Sequence, residues 1–182
     1  MATSATTRCI RCQTSDEETI QVPQQMVRHS KLFENLTEDW TEQQWEDPAN
    51  CIPLHSDFEA KHLQWAIEWT DLVETELNGT PSPALGALPP GLPMDKSVVT
   101  PQEYDLLKRM DGDDDFLHGM LKCAHFLDMP TMLRQLAMYT IASRIRHNPP
   151  EAIRHFFGFE NDLSETESTR LRVIGESLAK PQ

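Results

Sequence analysis

The stretch FLHGMLKCAHFLDMPTML, residues 116–133, decides the helical half of the fold. Its apolar side chains recur at spacings of three and four, which places them on one face of a helix. They are Phe116, Leu117, Met120, Leu121, Ala124 and Leu127. Pro130 disfavours the helical conformation at the residue before it, so the helix is expected to end there. This apolar face must pack against a core.

A second helix is predicted to start near Thr131, immediately after that stop. Its apolar stripe consists of Met132, Leu133, Leu136, Ala137, Thr140, Ile141 and Ile145. Asn148, Pro149 and Pro150 then have the N-cap and first-turn chemistry of a third helix, which is expected to span 150–157. The C-terminal third of the chain is therefore predicted to be helical.

The third helix and the tail carry more apolar surface than they can bury within themselves. The short helix and its flank hold Ile153, Phe156, Phe157 and Phe159. A last helix is expected to open with a capping box of Ser164 and Glu167, and it is preceded by Leu163 and bears Leu171, Ile174 and Leu178. Contiguous exposed apolar surface on a soluble chain marks a binding site, so a partner or a neighbouring helix must cover these residues.

Upstream, the sequence predicts a small sheet. Residues 8–22 read as a hairpin around a polar turn at 14–18, and residues 51–54 form a short apolar run that is expected to be a third strand. Short helices are expected at 24–29 and from Ser30, a long helix from Ser56 or Asp57, and another from Thr100. The predicted fold class is α+β, with a three-stranded sheet covered by helices and an all-helical C-terminal extension.

Two segments are predicted to be flexible loops. Residues 37–50 are acidic, contain Trp40 and Trp45, and show no consistent period. Residues 78–99 are rich in proline and glycine, which is linker composition. The predicted domains are accordingly 8–146 and a helical extension at 147–180.

Composition restricts the class of partner. The 182 residues carry a formal net charge of -13, which argues against nucleic acid and anionic membranes as partners. No apolar run is long enough for a membrane span, and the first residues lack the apolar core of a signal peptide. We therefore expect a cytoplasmic and nuclear protein with free thiols and with protein partners.

No enzyme site, cofactor site or metal site is predicted. Cys9 and Cys12 have the spacing of a zinc knuckle, but the sequence has no second pair, and the acidic run at 111–115 lacks the pattern of a calcium loop. Nucleotide-binding glycine loops and a Gly-x-Ser-x-Gly motif are also missing. A Cys–His dyad assembled by the fold stays open at this point.

The order of these motifs resembles the Skp family, the adaptors that link F-box proteins to a cullin in SCF ubiquitin ligases. The similarity is carried by residues 10–18 in the hairpin, by 51–54 and 63–69 in the third strand and long helix, and by 116–133. It continues through 148–154 and 157–164, which resemble the C-terminal extension of Skp adaptors. The family fold is BTB/POZ, followed by helices that bind F-box proteins.

The resemblance implies a non-catalytic adaptor with two binding sites. Trp40, Trp45, His125 and Phe126 are then the hypothesised cullin contacts. The hypothesised F-box contacts are Ile145, Ile153, Phe156, Phe157, Phe159, Leu163, Leu171, Ile174 and Leu178. The alternative reading is a cullin-independent scaffold or a BTB-type protein that self-associates as a weak homodimer.

Four positions depart from the family pattern. Glu17 stands where a glycine is usual, and His125 and Phe126 replace the usual asparagine and tyrosine. Ser177 falls at about the position of a family tryptophan. These departures identify the chain as a divergent member.

Overall fold

The computed structural model describes residues 8–47, 50–54, 57–76, 100–146 and 148–178, with the backbone alone for Glu46, Glu76 and residues 174–178. The strands are β1 (Cys9–Gln13), β2 (Thr19–Pro23) and β3 (Cys51–Pro53). The helices before Pro130 are α1 (Gln24–Val27), α2 (Lys31–Thr37), α3 (Glu42–Glu46), α4 (Ala60–Glu76), α5 (Pro101–Lys108) and α6 (Asp114–Phe126). They are followed by α7 (Pro130–Thr140), a π-helix (Ile141–Ile145), α8 (Pro150–Phe157) and α9 (Glu165–Leu178). The segment 78–99, predicted to be a linker, lies outside the described residues.

The sheet is small and mixed, with strand order β2-β1-β3. Strand β1 pairs antiparallel with β2, where Ile10 lies opposite Val22, and parallel with β3, where Cys12 lies opposite Ile52. Ile10, Cys12 and Val22 are fully buried, since alternate residues of a strand point to one face. The predicted α+β class with a three-stranded sheet is confirmed.

Helix α4 is the central helix of the layer that covers this sheet. It contacts β2, α1, α5 and α6, and α6 in turn packs on α7. Gly119 of α6 lies so close to α4 that a Cβ atom there would be 2.0 Å from Nε2 of His62. Because a side chain here would collide with the His62 ring, a glycine is required at this crossing. Burial also lowers the pKa of His62, so its ring is neutral in the packed state.

A buried polar chain joins three helices inside this layer. The indole N–H of Trp69 donates to Oε1 of Gln135 at 2.7 Å, and Nε2 of Gln135 donates to Oε1 of Glu103 at 2.8 Å. The other oxygen of Glu103 accepts the backbone N–H of Thr100 at 2.8 Å, within a capping box. All three side chains are buried, so the chain fixes α4, α7 and α5 through partners that must remain satisfied.

The structure corrects two of the predicted boundaries in the N-terminal part. The prediction of a loop over 37–50 is wrong for Glu42–Glu46, which form α3 after a capping box of Thr41 and Gln44. The long helix α4 begins at Ala60 rather than at Ser56 or Asp57.

Two further corrections fall near the C-terminal part. The N-cap of α8 is Pro149 instead of Asn148. Ile141, expected on the buried stripe of α7, is exposed because at 3.6 residues per turn it lies roughly two and a half turns after Met132, and so on the side of the helix opposite that buried residue.

The chain divides into two compact units between Ser143 and Arg144, whereas the sequence placed the boundary between 146 and 147. In the C-terminal unit, Gly158 ends α8 at a φ of +66°, a conformation that favours glycine. The N–H of Phe159 donates to the carbonyl of Arg154 at 2.9 Å, which completes a Schellman cap. Ser164 and Glu167 form the predicted capping box of α9, in which the N–H of Glu167 donates to Oγ of Ser164 at 3.3 Å. The hydroxyl and the N–H of Ser164 donate to Oε2 of Glu167 and lower the pKa of its carboxyl.

Candidate functional site

The two tryptophans predicted to contact a cullin form one aromatic cluster. The ring centroids of Trp40 and Trp45 lie 5.3 Å apart with planes at 73°, an edge-to-face arrangement. Trp40 follows the end of α2, where its N–H donates to the carbonyl of Thr37 at 3.1 Å, and Trp45 lies on α3. Both side chains are partly exposed, so the pair presents an aromatic surface that the end of α2 and helix α3 hold in place.

The other predicted pair lies in the last turn of α6. Phe126 is 37% exposed, and its ring meets the fully buried ring of Phe58 edge-on at 5.5 Å. His125 is exposed beside it. The structure thus places Trp40–Trp45 and His125–Phe126 in two separate clusters. Phe126 is held by core packing and still presents more than a third of its surface to solvent.

Main-chain contacts connect the end of α6 to the start of α2. The hydroxyl of Ser30, the N-cap of α2, donates to the carbonyl of Leu127 at 2.6 Å, and the N–H of Lys31 donates to the carbonyl of Asp128 at 3.1 Å. Asp128 adopts a φ of +49°, which turns the chain back toward Pro130. Helix α2, about 10 Å long, therefore begins beside the Phe126 cluster and ends near the tryptophan cluster.

The surface around α2 is acidic. The hydrogen bond that Lys31 donates to Glu34, the charge of Glu34, and the charges of Glu38 and Asp128 raise the pKa of Lys31. Nζ of Lys31 lies 2.6 Å from Oε2 of Glu34. Because three carboxylates surround this one ammonium group, the local balance is negative.

The hairpin turn positions Phe58. The carboxylate of Asp16 accepts the N–H of Ala60 at 3.1 Å and the hydroxyl of Thr14 at 2.6 Å, and these contacts lower the pKa of Asp16. The hydroxyl of Ser15 donates to the carbonyl of Phe58 at 2.7 Å. The turn therefore fixes the start of α4 and, through Phe58, the ring of Phe126.

The predicted F-box contacts on α8 form an aromatic row. Phe156 is buried and meets Phe157 edge-on at 4.9 Å, and Phe157 stacks on Phe159 at 5.7 Å with planes 23° apart. Phe157 is 42% exposed and Phe159 66% exposed. Ile153 is half-buried. The row thus runs from a buried ring to a nearly free one.

The remaining predicted contacts are spread over the C-terminal unit. Ile145 lies in the π-helix and is half-buried, as is Leu163, whereas Leu171 on α9 is 55% exposed. The side chains of Ile174 and Leu178 are not described. Val173 is as exposed as Leu171, although sequence reasoning omitted it. Leu36 on α2 is another exposed apolar residue, and only its place in the fold reveals its exposure.

Two buried thiols are poor candidates for chemistry. Burial, with a smaller contribution from Cys51, raises the pKa of Cys12 to about 12, and burial also raises the pKa of Cys123. Both thiols stay protonated near neutral pH, and the thiolate is the reactive form.

Neither a metal-binding cluster nor a membrane-spanning helix is found among the residues that the structure describes. No group of three or more His, Cys, Asp or Glu side chains among those residues could hold a metal ion. None of the helices described is long and apolar enough to span a bilayer.

Comparison with known families agrees with this architecture. Residues 8–73 match the Skp1 family tetramerisation domain, a POZ domain, and residues 131–173 match the Skp1 family dimerisation domain. The first match covers the sheet and most of α4, and the second runs from α7 into α9.

Similar individual proteins come from fungi and plants. The chain is 28% identical to Suppressor of kinetochore protein 1 of Schizosaccharomyces pombe, over 92% of this chain and 95% of that protein. It is 26% identical to E3 ubiquitin ligase complex SCF subunit sconC of Emericella nidulans, over 89% and 91%. For SKP1-like protein 9 of Arabidopsis thaliana the identity is 36%, but over only 35% of this chain and 40% of the plant protein. With both domains matched in order, the chain belongs to the Skp1 family as a divergent member.

Proposed function

We propose that the chain is a non-catalytic adaptor of an SCF-type ubiquitin ligase, in which it bridges a cullin and F-box substrate receptors. Membership of the Skp1 family supports this role, and the Emericella relative, aligned over nearly its whole length, is named as an SCF subunit. Homology to an SCF subunit supports binding to cullin and F-box proteins in general. The choice of contact residues is our own proposal.

The observation that best supports F-box binding is the aromatic row of α8. Phe159 is 66% exposed, so the solvent-facing part of its ring serves no packing role within the chain. Its stacking on Phe157 orders it in advance, which lowers the entropy lost on binding. Leu171 and Val173 on α9 extend the apolar surface of this unit. An F-box is a small helical module whose own apolar face needs such a cover.

The cullin end of the proposal depends on Phe126 and the tryptophan pair. Aromatic anchors dominate interface energies, and Phe126 is both partly exposed and fixed by the buried Phe58. His125 and Phe126 differ from the usual family residues, so the cullin that fits them is expected to differ in its facing residues as well. Trp40, which follows α2, and Trp45, which lies on α3, present a second contact.

Self-association is the second candidate, because the matched domains are described as dimerisation and tetramerisation domains. It would use the same exposed apolar residues. Mass measurement of the purified chain over a range of concentrations distinguishes the two roles: an adaptor is expected to remain a monomer that binds each partner one to one.

The decisive experiment is a double dissociation by calorimetry with a purified cullin and a purified F-box protein. Phe126→Ala should weaken cullin binding by about 2 kcal/mol, roughly 30-fold, and leave F-box binding unchanged. The double substitution Phe157→Ala with Phe159→Ala should do the reverse. Each variant serves as the folding control for the other.

The opposite results are equally informative. If both variants bind both partners as the parent does, the assigned residues are wrong. If the parent binds neither partner and sediments as a dimer, the adaptor role itself is wrong and self-association replaces it.

A further inference from the structure

A buried histidine lies at the crossing of α4 and α6. His62 of α4 is 4% exposed, and its ring stacks on Phe116 of α6 with the centroids 5.0 Å apart and the planes at 19°. A Cβ atom at Gly119 would lie 2.0 Å from Nε2 of this ring, so Nε2 faces the backbone of α6 directly. The close approach of the two helices therefore depends on the size and the charge of one imidazole ring.

The hydrogen bonds of the ring suit its neutral form. The backbone N–H of Glu59 donates to Nδ1 at 3.0 Å, so the single proton of the neutral ring is on Nε2. Nε2 is buried and has no hydrogen-bond partner among the residues that the structure describes. Buried polar atoms without a partner are rare in folded proteins, and this one calls for a role other than packing.

A second proton on the ring would find no suitable acceptor. A protonated Nδ1 can no longer accept the N–H of Glu59, because both groups would then be donors. The carbonyl of Glu59 is 3.3 Å from Nδ1 and already accepts the N–H of His62 at 3.0 Å. Protonation would therefore replace a well-fitted neutral ring with a poorly paired charge inside the crossing.

The charges around the ring act in both directions. Burial lowers the pKa of His62 most, and the charge of Lys61 lowers it further, whereas a hydrogen bond to the backbone of Glu59 and the charges of Glu59 and Asp16 act against this. Phe116 and Gly119, which meet the ring from α6, are uncharged. The titratable residues that surround these two in the sequence of α6 and its N-cap are Asp113, Asp114, Asp115, His118, Lys122 and Cys123.

The sign of the resulting pH dependence follows from this lowered pKa. The packed crossing binds the proton less readily than an opened crossing, in which the ring would be in water. The stability that the neutral ring gives to the crossing is therefore present above the ordinary histidine pKa of about 6.5, and it is lost as the pH falls below that value.

We propose that His62 is a pH-sensitive latch between α4 and α6: its neutral ring keeps the crossing closed, and uptake of a proton opens it. The latch is a property of the folded chain itself. Because α6 also carries Phe126, the proposed cullin contact would weaken in mild acid, a consequence that rests on the proposed function.

The test uses three thiols of the full chain as reporters of opening. Cys123 is buried on α6 one turn after Gly119, Cys12 is buried in the sheet, and Cys51 is exposed. A dipyridyl disulfide, which reacts with thiols in mild acid, labels them, and mass spectrometry gives each rate. Between pH 7 and pH 5 the rate at Cys123 relative to Cys51 should rise by up to about 25-fold, the limit for a ring that takes no proton while packed.

Two variants identify the group that titrates. His62→Leu keeps an apolar side chain at the crossing and removes the proton site, so the rise at Cys123 should disappear. His155→Gln removes an exposed histidine of the C-terminal unit and should leave the rise unchanged. Nitrogen NMR of the parent gives a measurement that does not depend on how a variant packs. The His62 ring should carry its proton on Nε2 at pH 7 and stay more neutral at pH 6 than a histidine in a short peptide.

Each outcome supports or overturns the latch. A rise at Cys123 alone, seen only when His62 is present, supports it. The same rise in His62→Leu would overturn it, and so would a parallel rise at Cys12, because the sheet and the helices would then be opening together. A His62 ring that takes up its proton as readily as a peptide histidine would also overturn it. None of these measurements involves a cullin, so their failure leaves the adaptor role to its own test.

Discussion

Helix α6 and helix α8 look alike in sequence, since both carry large apolar side chains at helical spacing, but they have opposite fates. Helix α6 buries Leu117, Met120, Cys123 and Ala124, whereas α8 buries only Phe156 and leaves Phe157 and the following Phe159 exposed. The difference is the surrounding structure: α6 lies between α4 and α7. Amphipathicity therefore predicts that a helix face must be covered, and the fold decides whether another part of the same chain covers it.

The largest effect is expected from a change among the packed helices around α6, whose apolar faces are covered within the chain. Gln135→Ala removes the link between Trp69 and Glu103 and leaves a buried indole N–H and a buried carboxylate oxygen without that partner. We expect a loss of about 3 kcal/mol in the free energy of unfolding, measured by urea denaturation. The neighbouring exposed residue provides the control, since Arg134→Ala should change stability by about 0.5 kcal/mol or less. Equal small losses in both variants would mean that the polar chain does not hold the helices together.

A smaller effect is expected at the crossing of α4 and α6. A methyl group at Gly119 would collide with the ring of His62, so Gly119→Ala should cost about 2 kcal/mol despite the better helix propensity of alanine. The combination with His62→Ala removes the obstacle, and the two changes should be coupled by about 1 kcal/mol or more in a double-mutant cycle. Simple additivity of the two losses would show that the crossing is not tight.

The smallest effect is expected from a change at α8, whose apolar face is left partly exposed. Phe157→Ala should reduce the stability of the C-terminal unit by about 1 kcal/mol or less, because much of the ring is already in water. Phe156→Ala, one position earlier but buried, should cost about 3 kcal/mol. Hydrogen exchange across α8 distinguishes the two variants. Equal protection losses would show that Phe157 belongs to the core, which would weaken its assignment to an F-box contact.

The sequence predicted the parts of the fold that depend on local pattern. The hairpin, β3, α8 and the capping box of α9 follow from strand alternation, proline and caps, and the family resemblance supplied the architecture. Helix α3 was missed although Thr41-Glu42-Gln43-Gln44 carries a capping-box signal, because its acidic sequence has no apolar period.

Features that depend on neighbours in space were not predictable. The burial of Gln135 and Glu103 runs against their polarity and is stable because they bind each other, the indole of Trp69 and the N–H of Thr100. At the candidate sites, sequence supplied the residues but not their burial, since it could not distinguish the buried Phe156 from the exposed Phe157.

The central position of β1 in the sheet has a consequence for synthesis of the chain. This first strand pairs with β2 almost at once, but its other edge pairs with β3, which is made roughly 40 residues later. At about 5–20 residues per second, that edge stays open for roughly 2 to 8 s on the ribosome. During this interval Arg11, Cys12 and Gln13 have no partner on that edge, and helix α4 is not yet present to cover the sheet. The nascent chain thus passes through a stage with an uncovered strand edge, at which strand pairing with another chain or capture by a chaperone competes with folding.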